Sequence, residues 1–380
     1  MPSSKVSRRD FSRHIGRSLA FALASARVGS LENSQRPQPA PENAIHLNYN
    51  ESPYGPSPKA MEALSSCGSI APRYPDAAHQ KMTEQIAQFH GVGADAILLG
   101  CGSTEILQIA DYVFLAPGKN IVAAEPTFEA VLEYAGVTRS PAIKIPSTSD
   151  HRHDLPRMAA ACTSKTGIVY VCNPNNPTGT IVTKSELEAF ISQVPKTTLI
   201  LLDEAYFHFA DDPRYASASQ WIPAYPNLLV SRTFSKIYGL AGMRLGYAVG
   251  SKETIARMRK EALQINANAA VLAAARASFS DQDYIAECRT KVLASRNWLC
   301  EELAKDGRTF VPSQANFVMI EMGQDIRPII DQFLARKILV GRQFPAMPTF
   351  LRVSIGTQDE MESFMAALRE IAPAHSGKTA

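Results

Sequence analysis

Short apolar runs alternate with helical patterns from Ile97 onward, and this alternation constrains the fold more than any other feature of the sequence. The apolar runs have the length and composition of buried strands. They span residues 97–99, 121–123, 167–172, 198–202, 228–231 and 246–249. Strands and helices at this spacing predict an α/β fold, with a mostly parallel sheet between two layers of helices. Ligands of such sheets bind beyond the carboxyl ends of the strands, so we look for functional residues in the loops that follow them.

The sequence after residue 251 follows a different pattern. Residues 251–305 are rich in helical patterns, and the residues from there to 367 mix helices with short apolar runs. This predicts a smaller α+β domain beside the large three-layer domain, as expected for a chain of 380 residues.

The N-terminal segment, residues 1–29, is basic, with six lysines and arginines against one aspartate. Arg8 and Arg9 precede a weakly apolar stretch and the small residues Ala24-Ser25-Ala26, a pattern that resembles a twin-arginine export signal. Residues 30–44 are polar and rich in proline, and we interpret them as a linker. These features predict export to the periplasm. The alternative is a basic tail on a cytoplasmic protein.

Charge and cysteine usage exclude several classes of function. The formal charge is +3, but it comes from the N-terminal segment, and the remainder of the chain is slightly acidic. Net charge therefore gives no reason to expect nucleic-acid binding. No apolar run reaches the ~18–20 residues of a membrane-spanning helix. The six cysteines are far apart in sequence and include no Cys-x-x-Cys pair, so we expect no structural zinc and no other metal.

Three loops after predicted strands carry residues suited to a polar cofactor. The segment Gly100-Cys101-Gly102-Ser103-Thr104 enters a helix, where small residues and free N–H groups favour a phosphate. The loop at 173–179 holds two prolines that can aim the Asn176 amide at a ligand. Asp203 ends an almost wholly apolar strand and needs a cationic or hydrogen-bonding partner there. Taken singly, these features are also compatible with a tight turn and with self-bonded asparagines, and a lone aspartate at such a position is more often a cap than a catalyst.

The loop after the run at 228–231 carries Thr233, Ser235 and Lys236, and Arg244 follows it. Two hydroxyls and a guanidinium suit a phosphate, because arginine matches phosphate oxygens bidentately. Lys236 would be an amine in a partly desolvated site, as Schiff-base chemistry requires, although a single lysine is commonly a surface residue. Together the loops require a ligand with a phosphate, a ring nitrogen, a phenolic oxygen and an aldehyde. Pyridoxal 5′-phosphate has all four.

With these motifs, the sequence resembles the class I/II aminotransferases of the aspartate-aminotransferase fold (fold type I), and within them the histidinol-phosphate aminotransferases. The resemblance runs over residues 45–371. Besides the strand-end loops, it is carried by segments 47–58, 73–76, 102–105 and 351–357. It implies a homodimer with shared active sites. It also implies a large cofactor-binding domain at residues 61–260 and a small domain made of residues 45–60 and 261–372.

The resemblance implies a role for each motif residue. Lys236 would hold the cofactor covalently and move a proton, and Asp203 would keep the pyridine nitrogen protonated. Tyr206 and Asn176 would bind the phenolic oxygen, and Phe128 would stack on the ring. The phosphate would be held by Ser103, Thr104, Thr233, Ser235 and Arg244, and by Tyr74 of the partner subunit.

The same resemblance implies how substrate is held. Arg352 would bind the α-carboxylate through a forked pair of hydrogen bonds. Arg342 stands where the family holds a phosphate or acidic side chain of the substrate, with a surface arginine as an equal alternative. Tyr54 would also contact substrate. The sequence departs from the family at Ser52, where asparagine is usual, and in the linker, which lacks the usual tyrosine.

The implied activity is a ping-pong transfer of an amino group. The donor would be an amine or amino acid of the histidinol-phosphate or aromatic type, and the acceptor a 2-oxo acid such as 2-oxoglutarate. A lyase, decarboxylase or oxidase on the same scaffold is the nearest alternative, because a fold does not fix a reaction. A non-catalytic cofactor-binding sensor domain is a more distant one.

Overall fold

The computed structural model describes residues 41–373, which form twelve strands and eleven α-helices. The predicted export signal and most of the linker lie outside these residues. The strands are β1 (Ile45–Leu47), β2 (Ile97–Gly100), β3 (Asn120–Glu125), β4 (Ala142–Pro146), β5 (Thr166–Cys172), β6 (Leu199–Asp203), β7 (Leu228–Thr233), β8 (Gly246–Gly250), β9 (Phe310–Val311), β10 (Phe317–Glu321), β11 (Ile338–Val340) and β12 (Phe350–Ser354). The helices are α1 (Pro58–Ser65), α2 (Asp76–His90), α3 (Ser103–Phe114), α4 (Ala130–Val137), α5 (Leu155–Ala161), α6 (Lys184–Gln193), α7 (Lys252–Met258), α8 (Ala269–Ser280), α9 (Gln282–Lys305), α10 (Arg327–Ala335) and α11 (Gln358–Ile371).

Seven strands form the central sheet, in the order β2-β8-β7-β6-β5-β3-β4. The five strands from β7 to β4 run parallel, and β8 is antiparallel to both of its neighbours. Every residue of β5, β6 and β7 is buried, which explains why these strands are almost continuously apolar in the sequence. The predicted α/β fold with a mostly parallel sheet is confirmed.

The two faces of this sheet belong to different hydrophobic cores. In β3, Ile121 and Ala123 pack in a cluster with side chains of α3, whereas Val122 and Ala124 pack in the larger cluster on the opposite face. Successive strand residues point to opposite faces, so one apolar strand supplies both cores. The sheet is therefore the middle of three layers.

The C-terminal part of the chain builds smaller sheets. Strands β9, β10 and β12 form an antiparallel sheet in the order β12-β10-β9, and β1 pairs in parallel with β11. Residues 45–47 are thus joined to the C-terminal part of the structure by backbone hydrogen bonds. The domain boundaries at residues 60 and 260 stay a prediction.

Local sequence fixes the elements beside the carboxyl edge of the sheet. Helix α6 begins with a capping box in which Thr183 and Glu186 each accept a backbone N–H of the other, as the Thr-x-x-Glu spacing predicts. The carboxyl ends of β5, β6 and β7 are Cys172, Asp203 and Thr233, and parallel pairing brings them to one edge. Between residues 41 and 373, no helix is long and apolar enough to span a membrane, and no three side chains form a metal-binding group.

Candidate active site

A cavity of about 690 Å³ opens at the carboxyl ends of β5, β6 and β7. It brings together residues that are up to 304 positions apart in sequence, from Asn48 to Arg352. The predicted site residues that line it are Ser103, Thr104, Phe128, Asn176, Asp203, Tyr206, Thr233, Ser235, Lys236, Arg244, Arg342 and Arg352. The position agrees with the rule that ligands of open parallel sheets bind beyond the carboxyl ends of the strands.

Asp203 is buried in this cavity and Lys236 is partly buried there. Asp203 accepts hydrogen bonds from the Tyr170 hydroxyl at 3.0 Å and from the Ala205 backbone N–H at 3.1 Å. Its burial raises the pKa of the carboxyl to about 6. Burial, reinforced by the charge of Arg352, lowers the pKa of the Lys236 amine to about 8. An amine in this state gives up its proton far more readily than an exposed lysine, as a nucleophile or a proton carrier must.

The Tyr206 hydroxyl is held by two amide side chains. Asn50 donates to it from Nδ2 at 3.1 Å, and Asn176 donates from Nδ2 at 3.4 Å. Asn50 is in turn fixed by Ser354, whose hydroxyl donates to Asn50 Oδ1 at 3.2 Å and accepts the Asn50 backbone N–H at 2.8 Å. Sequence reasoning missed Asn50 as a site residue. The signal that could have identified Asn50 is its position in the segment 47–58, which carries part of the family resemblance.

Arg244 joins the two hydroxyl-bearing loops. Its Nη1 donates to Ser235 Oγ and its Nη2 to Thr104 Oγ1, each at 3.3 Å. Gly102 has a φ of +78°, and a Cβ there would lie 2.3 Å from Arg244 Nη2, so only glycine admits the guanidinium this close. The N-terminus of α3 begins at the next residue. A guanidinium, hydroxyls and a helix N-terminus that converge in this way fit a phosphate.

Phe128 lies on a turn that a buried amide holds in place. Asn175 accepts a hydrogen bond from the Thr127 hydroxyl at 2.9 Å and donates to the Pro126 carbonyl at 3.1 Å. Both bonds fix the residues directly before Phe128, which lines the cavity. The turn therefore presents an aromatic side chain at a set position, as a ring-stacking role requires.

Arg352 is a buried guanidinium without an anionic partner among residues 41–373. Its Nη1 donates to Asn176 Oδ1 at 2.7 Å and its Nη2 to the Asn48 carbonyl at 2.8 Å. It forms no ion pair with any other residue of the described part of the chain, and its buried Nε has no hydrogen-bond partner there. Burial lowers the pKa of Arg352 to about 10, which still leaves it charged at neutral pH. A buried uncompensated cation is poised to bind an anionic ligand.

Comparison with known proteins identifies the family. Residues 42–368 match the model for aminotransferase class I and II. The chain belongs to this family. It is 38% identical, over 86% of its length and 90% of the relative, to the histidinol-phosphate aminotransferase of Brevibacillus brevis. It is 39% identical to that of Moorella thermoacetica, over 87% of this chain and 86% of that one. The crystal structure of the Sinorhizobium meliloti histidinol-phosphate aminotransferase in complex with pyridoxal-5′-phosphate has a TM-score of 0.82 and 28% identity, over 87% of this chain and 90% of that chain.

The residues of this aminotransferase fit pyridoxal phosphate part by part. The cradle of Gly102 and Arg244 suits the phosphate, and the buried Asp203 suits a protonated ring nitrogen. Tyr206 stands where a phenolic oxygen can be bound, and Lys236 supplies the amine. The roles assigned to individual residues remain predictions.

Two predicted residues do not line the cavity of their own chain. Tyr54 packs against α9, with Lys291 Nζ 5.3 Å from the centre of its ring, and its carbonyl accepts the Tyr284 hydroxyl at 2.9 Å. This packing keeps the Tyr54 ring away from the cavity, so the structure gives no support to a substrate contact within one chain. Tyr74 is 84% exposed on the surface, and its predicted contact needs a second chain.

The position of Arg244 leads to a prediction about cofactor affinity. We expect R244A to weaken binding of pyridoxal phosphate by roughly 10- to 100-fold, because a hydrogen bond to a charged group contributes about 1.5–3 kcal/mol. Affinity for pyridoxal, which lacks the phosphate, should stay the same. Fluorescence titration of the apoenzyme with each compound measures both constants. An equal loss for the two compounds would show that Arg244 supports the cavity and does not bind the phosphate.

Proposed function

We propose that this protein catalyses amino transfer from an amine or amino acid of the histidinol-phosphate or aromatic type to a 2-oxo acid, with 2-oxoglutarate as the acceptor. Pyridoxal phosphate is the cofactor. The observation that carries the proposal is a single cavity that holds a partly desolvated lysine, a buried carboxyl and a buried unpaired arginine. The lysine suits the aldehyde of the cofactor, and the carboxyl suits its ring nitrogen. The arginine suits the carboxylate of an amino-acid or 2-oxo-acid substrate.

When bound, pyridoxal phosphate supplies an aldehyde that can react with an amino group and a ring that withdraws electrons from the substrate. The protein supplies position and proton transfer. Arg352 holds the carboxylate of an amino-acid donor or of the 2-oxo acid, which sets the α-carbon within the cavity. Lys236 Nζ, with its lowered pKa, takes the proton from that carbon and returns it. Asp203 favours a protonated ring nitrogen, because an anionic carboxylate in a dry site stabilises a facing positive charge.

Conversion of the cofactor by single substrates tests the proposed reaction. Adding an amino donor to the holoenzyme should convert the bound cofactor to its amine form, followed by absorbance, and 2-oxoglutarate should reverse the change. We expect K236A to slow this half-reaction by at least about 10²–10⁴-fold, since it removes the general base. K196A, at an exposed lysine, is the control. Release of ammonia or CO₂ in place of a reversible conversion would contradict amino transfer and favour a lyase, oxidase or decarboxylase.

Borohydride reduction followed by peptide mapping locates the cofactor. We expect the reduced cofactor on the peptide that contains Lys236, and no label on that peptide in K236A. Label on any other lysine would overturn the site assignment.

We propose further that the active enzyme is a homodimer in which Tyr74 of one chain completes the site of the other. Tyr74 is largely exposed, and Met61 and Ile70 in the same segment are 48% and 40% exposed. Such an apolar segment is suited to lie against a second copy.

Hybrid dimers test this shared site. Y74A and K236A chains, each of low activity alone at limiting cofactor, should regain activity when co-expressed. One site of each hybrid then combines Lys236 from one chain with Tyr74 from the other. Light scattering gives the oligomeric state, and assays of the purified hybrid give the recovery. A monomer, or a hybrid no more active than its parents, would contradict the shared site.

We propose that the protein is exported by the twin-arginine route. The support is the pattern at residues 1–29, which lies outside the described part of the structure. This route carries folded proteins, which suits an enzyme that binds its cofactor before crossing. An R8K/R9K variant should remain in the cytoplasm at full length, while R13K/R17K should reach the periplasm like the natural chain. Cell fractionation and N-terminal sequencing measure both, and an uncut natural chain in the cytoplasm would contradict export.

A further inference from the structure

Glu129 and Arg342 form an ion pair at the edge of the cavity. Arg342 Nη2 donates to Glu129 Oε2, and both side chains line the cavity. Glu129 stands directly before α4, and Arg342 follows β11, so the pair joins distant parts of the chain. The side chains of Glu129 and Arg342 are 39% and 57% exposed. The reaction proposed above gives Glu129 no role.

The two substrate-facing arginines differ in their partners. Arg352 is buried and forms no ion pair within the described residues, whereas the charge of Arg342 is already balanced by Glu129. The two guanidinium groups lie over the same ring, with Cζ of Arg342 4.4 Å and Cζ of Arg352 5.0 Å from the centre of Phe344. They are therefore placed to hold the two ends of one small dianion.

The charges at this edge of the cavity also act on each other. The Arg342 charge lowers the pKa of Arg352, and the Glu129 carboxylate raises it. A ligand anion that replaces Glu129 on Arg342 would restore the balance that Glu129 provides. The cavity thus carries an internal anion at the place where a second anionic group of a substrate would bind.

We propose that Glu129 determines substrate specificity by competing for Arg342. It keeps Arg342 paired while a substrate with one carboxylate and an uncharged end is bound. It releases Arg342 to the second anionic group when a dianionic substrate enters. This rests on the proposed function, because a two-stage transfer requires one cavity to accept two chemically different substrates in turn.

The exposure of this ion pair keeps the free-energy cost of such an exchange low. An ion pair between exposed side chains contributes little stability, because water and salt screen it. Glu129 is the residue that precedes α4, so its carboxylate stays near the positive end of the helix after release. A buried pair would resist exchange, since one charge would be left unpaired away from water.

Equilibrium binding of unreactive ligands tests the proposal. Glutarate and pentanoate have the same chain length but two carboxylates and one. Isothermal titration of the holoenzyme with each gives a ratio of affinities that needs no turnover. We expect E129Q to bind glutarate roughly 2- to 5-fold more tightly, the range set by an exposed pair, and to leave pentanoate unchanged. E133Q, at an exposed carboxylate one turn further along α4, should alter neither affinity.

Removal of Arg342 provides the complementary measurement. R342Q should weaken the binding of glutarate by about tenfold, because a charge-assisted contact is lost. The affinity for pentanoate should stay unchanged. In the R342Q background, E129Q should have no further effect, which makes the coupling of the two residues measurable. E129S serves as a second variant if E129Q folds poorly. 4-Phosphonobutyrate in place of glutarate shows whether the second anionic group is better taken as a phosphonate or a carboxylate.

The outcomes separate this proposal from the proposed function. Equal changes for glutarate and pentanoate in E129Q, or no tightening of glutarate, would overturn competition by Glu129 and assign the pair a structural role. This result would stand whether or not amino donors convert the cofactor. Failure of every donor in the half-reaction would overturn the proposed activity and leave the binding ratios as measured.

Discussion

Burial of polar groups at the carboxyl edge of the sheet is the constraint on which the chemistry of this cavity depends. The same burial that raises the pKa of Asp203 to about 6 lowers that of Lys236 to about 8. Both pKa values are moved toward 7, so that both groups can exchange protons near physiological pH. Burial is the largest cause of both shifts, and the charge of Arg352 adds to the shift of Lys236. This burial follows from placing polar groups at the ends of strands that are apolar throughout, where solvent is replaced by a few fixed donors.

One hydrogen-bonded chain links Arg352 to Tyr206 across the cavity. Arg352 donates a hydrogen bond to Asn176, and Asn176 donates one to the Tyr206 hydroxyl. The same hydroxyl also accepts a hydrogen bond from Asn50. Arg352 and the Ser354 that fixes Asn50 both lie on β12, whereas Asn176 and Tyr206 follow strands of the central sheet. A carboxylate that binds Arg352 therefore acts on the same amide that contacts the Tyr206 hydroxyl. With the proposed roles of Arg352 and Tyr206, substrate binding and the electrostatics of the phenolic-oxygen site are coupled through a single side chain.

The sequence predicted the parts of this structure that obey local rules. Strand-end residues such as Asp203 and Lys236 stand out because charge is rare beside continuous apolar runs. Strand β4 was missed because it lies at the sheet edge and none of its residues is buried, so it lacks an apolar run. Asn50 and Glu129 escaped notice because their partners, Ser354 and Arg342, are over 200 positions away. No local pattern encodes a pairing of that kind.

The buried pair of Glu204 and Arg232 shows how the strand ends are held in register. Arg232 Nη2 lies 2.9 Å from Glu204 Oε2, and both side chains are almost fully buried. The Glu204 carboxylate also accepts hydrogen bonds from the Ser217 hydroxyl and the Ala218 backbone N–H, each at 2.7 Å. A buried pair that is fully hydrogen-bonded resists separation, because either charge alone would be stranded away from water. Glu204 directly follows Asp203, and Arg232 directly precedes Thr233. The pair thus ties together the ends of β6 and β7, and with them the loops that carry side chains proposed to bind the cofactor.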